Sequence, residues 1–105
     1  MRCLLDTEQL DELRFVLEDD FPAFIDSFVA DTEIKLTELQ VLFAQKSLKD
    51  GHKLAHSLKG SCLNLGANEM AQQCQRLQDA HTDADSRAQL QTLQSTWADT
   101  KAELS

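Results

Sequence analysis

Two histidines, His52 and His56, lie four residues apart in the stretch LKDGHKLAHSLKGSCLNL, residues 48–65. Three lysines, Lys49, Lys53 and Lys59, lie among and beside them. An imidazole has an ordinary pKa of about 6.5, so near neutral pH it offers a free nucleophilic nitrogen. Histidine can therefore carry a group covalently. A phosphoryl group suits such a site, because its transfer depends mostly on positioning and on neutralising charge. A compact ammonium one turn away, as on Lys59, supplies that charge. The i, i+4 histidine pair is also a spacing at which imidazoles ligate a metal. Here the lysines would repel a cation, no third ligand shares the face, and Cys62 lies on the opposite side.

These residues need a helix to place them. On a wheel of about 100° per residue, Leu48, Ala55, Leu58, Cys62 and Leu65 cluster on one side. His56 falls roughly 130° from the centre of that cluster and is expected to face water. Lys49, His52, Lys53, Lys59, Gly60 and Leu63 lie within roughly 60° of it. Gly60 is unusual there, since glycine inside a helix costs about 1 kcal/mol relative to alanine. Close approach by a partner is the simplest reason for omitting a side chain. Leu63, with Phe15 and Val16 off the main stripe of the first helix, would add apolar area to a docking surface. Ile34 and Val41 are off-stripe as well, without a functional account.

The run AHSLKGSCLNLGA, residues 55–67, resembles the signature of histidine phosphotransfer (HPt) domains, with its His-x-x-Lys-Gly-Ser core. CQRLQ, residues 74–78, falls where that family often carries a glutamine. LDTEQLDEL and FPAFIDSFVADTEIKLTELQ are similar to its first two helices, so the likeness covers nearly the whole chain. The resemblance implies that His56 accepts a phosphoryl group from an aspartyl phosphate on a receiver domain and passes it to another receiver's aspartate. It implies receiver domains of response regulators and of a hybrid sensor kinase as partners. Their acidic, divalent-metal-holding pockets suit the basic stripe of Lys49, Lys53 and Lys59. The metal would belong to the partner, and the chain needs no cofactor of its own. Gln78, at the edge of the fourth helix's buried stripe, is expected to hydrogen-bond the second ring nitrogen of His56 and fix its tautomer.

Composition narrows the alternatives. A chain of 105 residues is expected to form a single domain spanning 1–105. Lys+Arg 10 against Asp+Glu 18, net −8, argues against nucleic acid and anionic membranes as partners. No apolar run reaches transmembrane length, and the N-terminus lacks signal-peptide architecture. Cys3, Cys62 and Cys74 form no close-spaced pair and read as reduced thiols used as small hydrophobes. A cytoplasmic monomer is expected. The initial methionine and compact ends suggest a stand-alone protein rather than a piece of a hybrid kinase.

One proline, three glycines and no period-2 alternation predict an all-α fold. The pattern gives an antiparallel up-down four-helix bundle with a short additional N-terminal helix. The short helix spans about Thr7 to Leu17, capped by Asp6 or Thr7. The second helix starts near Asp20, carries Pro22 in its first turn and reaches about Gln45. It buries Phe21, Ile25, Phe28, Leu36, Leu39 and Phe43. Ser47 and Asp50 resemble a capping box for the third helix, which Gly66 ends. Asn68 is expected to cap the fourth helix, whose stripe holds Met70, Cys74, Leu77 and a partly buried His81. Thr82 or Asp83 would cap the fifth, with Leu90, Leu93, Trp97 and Leu104 at heptad spacing.

No glycine-rich phosphate loop is present, so the chain is not expected to bind ATP or act as a kinase. A helical adaptor that docks a partner through the same surface without phosphotransfer is the alternative. The intact His-x-x-Lys-Gly tract favours the carrier.

Overall fold

The computed structural model describes residues 4–104. Five α-helices follow one another: α1 Thr7–Leu17, α2 Phe21–Ala44, α3 Leu48–Leu65, α4 Asn68–Asp79 and α5 Asp83–Leu104, with a 3-10 turn, Glu18–Asp20, leading into α2. No strand occurs among the described residues. Helices α2 to α5 form a ring in which each packs on its chain neighbour and α5 closes against α2. The expected four-helix bundle with a short N-terminal helix is therefore the architecture. Cys3 lies outside the described residues.

The core follows from the apolar stripes. Ala55, Leu58, Cys62 and Leu65 of α3 are fully buried, as are Met70, Cys74 and Leu77 of α4. Phe28 and Trp97 meet edge to face at 5.8 Å between ring centroids, joining α2 to α5. Phe43 lies over Gly51, where an added Cβ would stand 2.6 Å from the ring Cζ. Phe21 and Ile25, expected in the core, are only half-buried.

The turns on either side of α3 share one device. Ser47 N–H reaches back to the Leu42 carbonyl at 2.8 Å, and Ala67 N–H to Cys62 at 2.8 Å. Each closes its helix in a Schellman motif with a left-handed residue between. That residue is Gly66 at φ 89° in one case and Lys46 at φ 61° in the other. The tight closures hold α2, α3 and α4 in successive antiparallel contact.

Some expected caps differ. Asp6 does accept from Gln9 N–H at 3.2 Å, and Thr82 Oγ1 accepts from Asp85 N–H at 3.1 Å. Ser47 makes no side-chain cap bond, so the expected capping box does not form. Asn68 is the first residue of α4 rather than its cap; Ala67 holds that position. His81 is exposed in the α4–α5 connection, not partly buried on the stripe. The helix ends before it, at Asp79, where Ala80 turns to extended backbone with ψ 130°.

Helix α1 buries no residue completely. Leu10 and Leu13 rest on the bundle from outside. The helix is pinned to the C-terminal end of α3 by Gln9, whose Nε2 donates to the carbonyls of Leu63 at 2.7 Å and Asn64 at 3.0 Å. Asp6 N–H adds a bond to Gly66 O at 2.8 Å.

Candidate functional site

The chemistry-bearing residues lie along α3 where it faces away from the core. His56 is exposed, with no hydrogen-bond partner among the described residues. Lys49, Lys53 and Gly60 are exposed on the same helix. Leu63 follows at 46% exposure. An added Cβ on Gly60 would meet nothing within 4 Å, so nothing in this fold requires glycine there. Among the described residues, Phe15 and Val16 are the most exposed large apolar ones, at 83% and 73%. Val16 borders a groove that also takes in Gln9, Glu12 and Asn64, so α1 prolongs the α3 surface beyond Leu63.

The tightest helix pair, α3 with α4, frames His56. His52 Nε2 lies 2.9 Å from the Ala80 carbonyl, to which it can only donate. Lys59 Nζ donates to Gln75 Oε1 at 2.7 Å. These two ties fix the register of the antiparallel pair. His56 falls between them on α3, and Gln78 falls between them on α4.

Three expectations change. Lys59 is half-buried and held by Gln75 rather than freely exposed, because α4 runs alongside its stem. His52, expected on the docking face, is half-buried and its Nε2 is committed to the end of α4. The bond expected from Gln78 to the His56 ring is not made. The ring is turned to solvent, and Gln78 Nε2 is buried without a partner among the described residues.

Gln75 and Asp79 escaped the sequence reading. Gln75 Nε2 donates to Asp79 Oδ1 at 3.2 Å, so Lys59, Gln75 and Asp79 form a chain. A signal existed: Gln75 and Gln78 are three apart and share the side of α4 that meets α3. Behind this surface, Cys62 and Cys74 are free, buried thiols. The hydrogen bond that the Cys62 thiol donates to Cys74, together with burial, pushes that thiol far above its ordinary range. No group of three His, Cys, Asp or Glu that could hold a metal forms among the described residues.

An exposed imidazole midway along a bundle helix, followed by a lysine one turn on and a glycine without packing cause, fits comparison with known proteins. The family model of the Hpt domain matches residues 23–104. The chain belongs to the Hpt-domain family. Among solved structures, it is similar to the histidine-containing phosphotransfer protein B (HptB) from Pseudomonas aeruginosa PAO1. That likeness has a TM-score of 0.91 at 26% identity, covering 99% of this chain and 93% of the other. No curated protein matches. As an Hpt domain, the chain is a histidine phosphotransfer carrier of two-component signalling. The match begins within α2, so α1 lies outside it.

Proposed function

We propose that His56 carries the phosphoryl group between receiver-domain aspartates. The observation that supports this is the contrast among the three histidines. His56 is exposed on the lysine-bearing face with its ring unbound, whereas His52 is tied to Ala80 and His81 lies off the helix. A ring-nitrogen lone pair of His56 attacks the phosphorus of an aspartyl phosphate on the receiver. The N–P bond forms as the P–O bond breaks, and the carboxylate leaves with the electron pair. Transfer onward is the same step reversed, with a second receiver's aspartate attacking.

Lys59 offsets charge on the transferring group. Gln78, with its unpartnered amide nitrogen at the level of His56, bonds the ring or its cargo once the ring turns inward. Lys49 and Lys53 guide an acidic receiver, with His52 at the edge of the same contact. Gly60, Leu63 and Phe15 form its uncharged part. An interface of ordinary size buries about 800 Å² per partner, enough to reach from His56 past Leu63 onto α1. The divalent metal belongs to the receiver, and the chain contributes no cofactor. The same reading makes it a cytoplasmic, monomeric, single-domain carrier with a hybrid sensor kinase among its donors. No helix among the described residues is long and apolar enough to cross a membrane.

The test mixes the protein with phosphorylated receivers and follows label. Wild type takes label from at least one, and His56→Gln folds normally and takes none. Label retained on His52 or His81 in that variant refutes the assignment.

A further inference from the structure

Three lysines share the stripe around His56, and they are not equivalent. Lys49 and Lys53 project into solvent, whereas Lys59 is half-buried and its ammonium is bound. We infer that Gln75 is a positioning residue for phosphoryl transfer, holding the Lys59 ammonium beside His56, with Asp79 holding Gln75 in turn. This inference rests on the phosphocarrier reading above.

The chemistry of the chain fixes its direction. An ammonium only donates hydrogen bonds and an ionised carboxylate only accepts them. A glutamine amide between the two satisfies both in one orientation, with Oε1 toward Lys59 and Nε2 toward Asp79. That is the arrangement observed, at 2.7 Å and 3.2 Å. Asp79 lies one turn beyond Gln75 on α4, so the helix itself supplies the second contact. Ala71, one turn before Gln75 on the same side, is small and buried.

A neutral amide does something here that a carboxylate would not. Direct pairing of Lys59 with Asp79 would spend the lysine's charge on a competing anion. Through Gln75, the ammonium is held in place yet keeps its full charge for the incoming phosphoryl group. A charged acceptor makes a stronger hydrogen bond than a neutral one, so the phosphoryl oxygen displaces Gln75 Oε1 when it arrives. Before that, the clamp has already removed much of the rotamer freedom of a long, flexible side chain. Lysine side chains in a helix lean toward its N-terminus, which carries the Lys59 stem toward the turn bearing His56.

The experiment is a double-variant cycle read at saturating phosphorylated receiver. Gln75→Leu should slow the maximal transfer rate by about three- to thirtyfold, the range expected from freeing one lysine side chain. The receiver concentration at half-maximal rate should stay within about twofold, because no docking contact is lost. In a Lys59→Ala background the same substitution should change nothing further. An undiminished effect in that background, or no effect in the wild type, overturns the inference. Asp79→Ala, a surface change, should give a smaller slowing that also vanishes with Lys59→Ala, and it serves if Gln75→Leu does not fold. A second readout is independent of transfer. The Lys59 ammonium should give a resolved nitrogen-15 resonance in wild type that exchange with water erases in Gln75→Leu or Asp79→Ala. Its persistence in both variants also overturns the clamp. If the wild-type protein takes no label at all, the phosphocarrier reading fails, while this resonance still decides whether the clamp exists.

Discussion

Lys59 and His56 stand one turn apart, and the structure separates their roles by what already touches them. The imidazole is open, and the ammonium already donates one of its three N–H bonds to Gln75. Removing Lys59 takes away a charge that balances the transferring group and leaves a neutral amide with other options. Lys59→Ala should therefore slow transfer in both directions by about tenfold or more, while stability falls by no more than about 1 kcal/mol. Rapid-quench rates in each direction, beside a thermal melt, check this. Equal rates at matched low salt would make Lys59 an ordinary surface charge. At this scale the sequence conveyed the exposure of His56 and Gly60, since wheel position alone separates a water-facing residue from a core one, but not the covering of Lys59 by α4. It did not convey Gln75. Which of two glutamines three residues apart meets a lysine depends on the register of two helices, and nothing local encodes that. His52 was misjudged for the same reason, because its partner is a carbonyl 28 residues away.

Helix α3 contains two glycines with opposite reasons. At Gly60 a methyl group would stand in open space, and at Gly51 it would press into the Phe43 ring. Gly60→Ala should raise stability by about 0.5–1 kcal/mol on helix propensity. Gly51→Ala should lower it by about 1–3 kcal/mol through overpacking, despite the same propensity gain. Chemical denaturation of the two variants checks the sign of each. A larger side chain at the first position tests docking instead. Gly60→Gln should fold at least as well as wild type yet transfer more slowly, and unchanged kinetics would remove the steric role. Helix extents were legible because the apolar stripes are long and the breakers few: Thr7–Leu17 and Leu48–Leu65 fall where the periodicity put them. Caps were less legible. Ser47 has the right chemistry, but the Schellman closure at Leu42 already fixes the backbone entering α3, and the hydroxyl makes no cap bond. His81 was misplaced by extending a stripe two residues past the end of its helix.

At the scale of the whole bundle, the buried Cys62 thiol ties stability to pH. The Cys62 thiol is pushed up by its hydrogen bond with Cys74 and by burial, so the folded state keeps a proton that the unfolded chain sheds near pH 9. Below that pH both states hold the proton and stability is unaffected. Above it the unfolded state binds fewer protons, so stability falls as pH rises, by up to about 1.4 kcal/mol per unit. Denaturation midpoints between pH 8 and 10.5 should show this slope in wild type and lose most of it in Cys62→Ala. An identical slope in both would assign the alkaline loss elsewhere. The same sealing has a use in measurement. A thiol that is fully covered reacts with an alkylating reagent only while the bundle is open. With Cys3 replaced by serine, the rate at which Cys62 and Cys74 are modified counts openings of the α3–α4 seam. That same seam holds the Lys59–Gln75 bond, so docking of a receiver over it should slow the modification, and the protein's own cysteines would report its engagement without an attached label.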